Sequence, residues 1–179
     1  LAGDELCSYA IAHRGQLLAH AIYRPTYRLR RSSSYYFEPV QRPAIREAIA
    51  ALVRGTQYSG QVSFDWIETV DGSVQALECN PRATSGLHLF PFDTDLPAAL
   101  LGDGPLHEPA STRARMIAVL MATAGVQDAL KRGQPGAWRR DWQAADDVLS
   151  VSGDRLSPAG GLVDLASYAR LAMQQRCNL

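Results

Sequence analysis

Apolar residues fall in short runs along the first half of the chain. Residues 5–11 and 16–23 are two such runs on either side of His13-Arg14-Gly15-Gln16, which predicts a β-hairpin turning at Arg14-Gly15. That turn sets Glu5 opposite Arg24, Tyr9 opposite His20 and Ile11 opposite Leu18. Glu5 and Arg24 would then form a solvent-screened ion pair contributing roughly 0–1 kcal/mol. His13 and His20 lack metal-ligand spacing and read as exposed turn or strand residues. A third strand is expected over residues 35–40. Over residues 43–54 the period changes: Ile45, Ile49, Leu52 and Val53 recur at helical spacing, Pro43 suits a first turn and Gly55 an exit. Burying those four side chains would contribute about 1.5–3 kcal/mol each before entropy is counted. Arg46, Glu47 and Arg54 are left as a solvated face.

The most informative stretch is residues 60–82, where two runs rich in β-branched and aromatic residues flank Asp71-Gly72. This dipeptide favours a two-residue hairpin turn with both residues at positive φ. The register that follows pairs Val70 with Ser73, Thr69 with Val74, Ile67 with Ala76, Asp65 with Glu78 and Ser63 with Asn80. Alternation puts Ser63, Asp65, Glu78 and Asn80 on one face and Phe64, Trp66, Leu77 and Cys79 on the other. The second set reads as a core face and the first as a site. Opposed carboxylates have Cβ atoms about 4.5–5.5 Å apart and destabilise a sheet unless their repulsion is offset. Two readings are open. A hard cation such as Mg²⁺, held by Asp65, Glu78 and the amide oxygen of Asn80, would offset it; so would Arg82 or another arginine, with no metal involved.

Glu78-Cys79-Asn80-Pro81-Arg82, with Asp65 in the preceding strand, resembles the ATP-grasp superfamily over residues 1–90. The resemblance implies an α+β fold, an antiparallel sheet covered by helices, and an ATP-dependent ligase that activates a carboxylate as an acyl phosphate for attack by an amine or similar nucleophile. It implies Asp65, Glu78 and Asn80 as ligands of Mg²⁺, or of Mn²⁺, and Arg82 as the catalytic anion clamp. Glu5, from Gly3-Asp4-Glu5 ahead of an apolar strand, would line the ATP site with Arg82 and Ser85. ATP-grasp enzymes draw their adenine pocket and phosphate lysines partly from preceding sequence. Lys131 is the single lysine here, so the chain reads as a fragment expected to bind ATP weakly alone. Two alternatives stand: a nucleotide-binding regulatory or scaffold protein without turnover, and a β-rich module whose acidic pair binds calcium.

Composition narrows the classes. With 179 residues, 46% hydrophobic and 20% charged, the chain can bury a substantial core. Eighteen Lys+Arg balance eighteen Asp+Glu, which disfavours nucleic acid or an anionic membrane as partner. Small-molecule carboxylate and nucleophile substrates are expected instead, and a homo-oligomer is compatible. No apolar run reaches the roughly 20 residues that span a bilayer, and Cys7, Cys79 and Cys177 lack paired spacing. A cytoplasmic protein with reduced thiols is expected, Cys7 and Cys79 being buried in strands.

Two loops carry further candidate chemistry. Arg24, Arg28, Arg30 and Arg31, interleaved with Tyr23 and Tyr27 and followed by Ser32-Ser33-Ser34, suit an anion or make a solvated loop. Residues 83–88, with Thr84, Ser85 and Gly86, can cradle an anion or simply turn. His88 is the nearest histidine to the site and takes no assigned role. Beyond residue 90, proline and glycine break the pattern. A helix over residues 113–124 would bury Met116, Ile117 and Leu120; one over 159–174 would bury Val163, Ala166 and residues 168–171. Trp138 and Trp142, four apart, would pack together. Residues 91–179 thus read as a mainly helical C-terminal extension.

Overall fold

A computed structural model describes residues 2–29, 33–150, 154 and 157–174. Arg30, Arg31, Ser32 and Cys177 lie outside them. The chain divides into two compact units, Leu1–Ala114 and Arg115–Leu179, so the first extends past the stretch carrying the resemblance.

The first unit is α+β. Five strands, β1 (Gly3–His13), β2 (Gln16–Pro25), β3 (Tyr36–Pro39), β4 (Gly60–Thr69) and β5 (Val74–Asn80), lie in the order β5-β4-β1-β2-β3 with antiparallel neighbours. Helix α1 (Pro43–Thr56) covers one face, burying Ile45, Ile49 and Val53 with Leu6, Ala10, Ile22, Phe64 and Trp66. The buried positions recur every four residues, which leaves Leu52 on the flank, 43% exposed rather than in the stripe. Gly55 is inside the helix; the left-handed exit residue is Gln57, φ 53°. A short α2 (Leu96–Leu101) follows, with Asp95 accepting from the Ala98 N–H as its cap.

Arg14 (φ 47°) and Gly15 (φ 79°) form the expected turn between β1 and β2. A bulge between Ile11 and Ala12 then shifts the ladder, so that Ile11 meets Ala19, Tyr9 meets Ala21 and Cys7 meets Tyr23. The expected Tyr9–His20 and Ile11–Leu18 pairs are off by one residue. Because a one-residue slip exchanges faces, His20 lies on the same face as its partner Ala10 and is buried, 3% exposed, not an exposed strand residue. Glu5 pairs with Arg28, not Arg24. Arg24 lies 3.5 Å from Asp4 and 3.7 Å from Glu38.

From the boundary onward, β6 (Ala114–Met116), whose first residue closes the first unit, precedes α3 (Ala118–Leu120), a π-helical turn (Met121–Gly125), α4 (Val126–Lys131), α5 (Pro135–Ala144), β7 (Ala145–Asp147) and α6 (Ser157–Gln174). The expected helix over 113–124 is extended at its start. The Met116 carbonyl accepts from the Val148 N–H at 2.9 Å, and Asp147 Oδ1 accepts from the Ala118 N–H at 3.0 Å, so pairing and capping delay the helix. Trp138 and Trp142 pack together with centroids 5.5 Å apart and planes tilted by 36°, and Trp138 Nε1 donates to the Met121 carbonyl at 3.0 Å. On α6 the inward line passes through Gly161 and Leu165, leaving Val163, Ala166, Tyr168 and Leu171 exposed instead of buried. Among the described residues no helix is long and apolar enough to cross a membrane.

Candidate functional site

The β4–β5 hairpin reaches the expected carboxylate pairing by an unexpected route. Its turn has three residues: the Thr69 carbonyl accepts from Gly72 N–H at 2.8 Å, and Thr69 N–H donates to the Ser73 carbonyl at 2.9 Å. Only Gly72 among the turn residues has positive φ, 82°, the pattern of a type I turn closed by a left-handed glycine. This offsets the ladder by one residue, pairing Glu68 with Val74, Ile67 with Gln75 and Trp66 with Ala76. The Thr69–Val74 and Ile67–Ala76 pairs expected from a two-residue turn are therefore replaced. Leu77 is then bulged out, and beyond it Asp65 meets Glu78, Phe64 meets Cys79 and Ser63 meets Asn80. Phe64 and Trp66 are core residues as expected. Leu77 and Cys79 are exposed, because β5 ends the strand order and has a neighbour on one side only.

Asp65, Glu78, Asn80 and Arg82 line one cavity of about 570 Å³, together with Glu5 and Ser85. All six sequence-predicted site residues thus come to one place in the first unit. Neither Asp65 nor Glu78 forms an ion pair with an arginine among the described residues. Arg82 instead donates to Asn80 Oδ1 at 3.4 Å and to the Ala83 carbonyl at 3.3 Å. No group of three His, Cys, Asp or Glu side chains is placed around a metal position among the described residues. The donor set is two carboxylates and an amide oxygen, hard oxygen chemistry that suits Mg²⁺ sharing its shell with phosphate and water.

The surrounding network was not foreseen. Ser63 Oγ lies 2.9 Å from Thr84 Oγ1 and 3.1 Å from the Arg82 carbonyl, tying the loop after Arg82 to β4. Cys7 Sγ donates to Asp65 Oδ1 at 3.2 Å. Burial pushes the Cys7 thiol up to about 12, reinforced by the Asp65 carboxylate, and burial raises the Tyr23 hydroxyl likewise. Both residues face the site from β1 and β2; the signal that would have found them is the β1–β4 register, which hairpin reasoning does not supply. Gly86 permits a close approach, but to protein: a Cβ there would sit 2.4 Å from Tyr9 Cβ. His88 stacks on Phe37, centroids 6.0 Å apart. Of the arginine and serine loops, Arg28, Ser33 and Ser34 reach the cavity, Arg28 engaged by Glu5.

No family model matches the chain, and no curated protein does. Solved structures do resemble it. An ADP complex of an N5-carboxyaminoimidazole ribonucleotide synthetase matches with TM-score 0.47 and 15% identity over 74% of this chain and 39% of its own. The Staphylococcus aureus N5-carboxyaminoimidazole synthetase matches at 0.46 and 12%, with the same coverages. An L-amino acid ligase from Bacillus licheniformis matches at 0.38 and 13% over 47% of this chain and 23% of its own. These are ATP-grasp ligases. The chain spans 23% to 39% of their lengths, and at such scores the likeness is one of shape.

Proposed function

We propose that this chain carries the metal end of an ATP-dependent ligase site, which activates a carboxylate as an acyl phosphate for attack by an amine or similar nucleophile. The observation that supports this is the Asp65–Glu78 pair: two carboxylates in register, neither ion-paired with an arginine among the described residues, opening onto a cavity with Asn80 and Arg82 at its wall. Asp65, Glu78 and Asn80 would hold Mg²⁺ or Mn²⁺. The bound cation would supply charge neutralisation on the β- and γ-phosphates of ATP, the main requirement of phosphoryl transfer. Arg82, exposed and not paired with a carboxylate among the described residues, provides a planar donor fork for the transferred group. Ser85 adds a hydroxyl donor, and Glu5 holds Arg28 at the cavity wall. The substrates are a small-molecule carboxylate and a nucleophile, and the reading sets the protein in the cytoplasm, where ATP and Mg²⁺ are abundant.

The test is Mn²⁺ binding followed by electron paramagnetic resonance, with ADP release from MgATP, in the full-length protein and its Glu78→Gln variant. The variant should lose both while staying folded. Binding and turnover equal to wild type would remove Glu78 from the site, whereas ATP binding without any ADP release in the wild type would favour a non-catalytic nucleotide-binding protein.

A further inference from the structure

A single row of side chains crosses the sheet from β2 to β5: Tyr23, Cys7, Asp65 and Glu78, one per strand, each the register partner of the next. One hydrogen bond runs along it: Cys7 Sγ to Asp65 Oδ1 at 3.2 Å. Its direction follows from proton count. A carboxylate accepts, so the thiol donates to Asp65. Tyr23 flanks Cys7 as its register partner on β2. Two residues back on β4, Ser63 Oγ lies 2.9 Å from Thr84 Oγ1 and 3.1 Å from the Arg82 carbonyl, so one strand anchors both the Asp65 carboxylate and the loop carrying Arg82.

A carboxylate near a cation must present one oxygen in a fixed direction, and a hydrogen bond to its other oxygen is the usual means of holding it. We propose that Cys7 is a positioning residue for Asp65: its S–H occupies Oδ1 and leaves Oδ2 as the oxygen presented to a divalent cation. This rests on the reading of Asp65 as a ligand. Cys7 itself stays a donor and does not coordinate. An apolar residue would fill the same place on β1, but would leave Oδ1 without this donor.

Two measurements on the full-length protein test this. In the first, Mn²⁺ affinity is titrated by electron paramagnetic resonance for wild type, Cys7→Ala and Cys7→Ser, with thermal unfolding in parallel. Cys7→Ala should weaken Mn²⁺ binding about ten-fold, as loss of a partner that orients a ligand does, and Cys7→Ser, which keeps a donor, should restore most of it. Equal affinity in wild type and Cys7→Ala, or no recovery in Cys7→Ser, would overturn the proposal and leave the ligand reading intact. In the second, the Cys7 S–H infrared stretch, identified by difference against Cys7→Ser, should move toward its free-thiol position in Asp65→Asn. An unmoved band would overturn the proposal without touching metal binding. Wild-type protein that binds no Mn²⁺ would overturn the ligand reading and the proposal with it.

Discussion

Asp65 on β4 and Glu78 on β5 face each other because Leu77 is bulged out of the ladder between them and the turn. In the register set by the turn alone, Asp65 would meet Leu77 and Glu78 would point to the opposite face. The bulge therefore does what bulges do beside functional sites, re-aiming one side chain.

That relationship predicts an opposite response to mutation with and without metal. Without a divalent cation, Glu78→Gln relieves a like-charge pair and should raise stability by a few tenths of a kcal/mol. With Mn²⁺ at about a hundred times its dissociation constant, wild type should gain about 2.7 kcal/mol and the variant little. Thermal unfolding with and without Mn²⁺ checks both signs. A variant that gains as much from Mn²⁺ as wild type would contradict the pairing as a cation site.

Three glycines should respond differently to alanine. At Gly86 the new Cβ lies 2.4 Å from Tyr9 Cβ, inside a packed region, so Gly86→Ala should cost more than about 2 kcal/mol. At Gly72 space is open but φ is +82°, and the expected cost is about 1 kcal/mol. Gly55 lies within α1, without positive φ and with nothing within 4 Å, so Gly55→Ala should stabilise by about 0.5–1 kcal/mol. Urea unfolding of the three variants would rank them.

What was legible in the sequence were features fixed locally. The α1 stripe, the Arg14-Gly15 turn and the hairpin around Asp71-Gly72 follow from periodicity and turn chemistry within a few residues. The site pairing was reached because two departures from the simple register, the longer turn and the Leu77 bulge, cancel at Asp65. The β1–β2 bulge has no such compensation, and it misplaced His20 and gave Glu5 the wrong arginine. Cys7 joins the site through the β1–β4 pairing, a contact with Asp65 58 residues away that no local pattern encodes, and Tyr23 joins it through the bulged β1–β2 register.

The two described cysteines should separate under alkylation. Cys79 is exposed on the edge strand, whereas burial and Asp65 hold the Cys7 thiol up near 12. Because the thiolate is the nucleophile, Cys79 should react with iodoacetamide near pH 8 while Cys7 stays unmodified until the protein unfolds. Peptide mass spectrometry of native and urea-treated protein reads this directly. Modification of Cys7 in native protein at a rate near that of Cys79 would show the thiol to be open to solvent.

His20 should make stability depend on pH between about 6.5 and 4. Burial first, and the Arg46 guanidinium second, push its imidazole down to about 4. Its Nε2 has no hydrogen-bond partner among the described residues, and Glu108, 3.8 Å from Nδ1, is itself 3.4 Å from Arg46, so burial outweighs that attraction. The folded protein therefore holds the neutral ring while an unfolded chain takes up a proton below about 6.5. Stability is complete above that pH and falls as pH drops toward 4, because the unfolded state binds more protons. At about 1.4 kcal/mol per unit, the full loss is on the order of 3 kcal/mol. His20→Leu, placed on the core face where no hydrogen bond to Nε2 is lost, should keep most of the stability at pH 7 and flatten this part of the profile. Urea unfolding at pH 4.5 and 7 for both proteins isolates the effect, since other carboxylates contribute equally to each. Parallel profiles would mean that His20 is protonated in the folded state as readily as in the unfolded one.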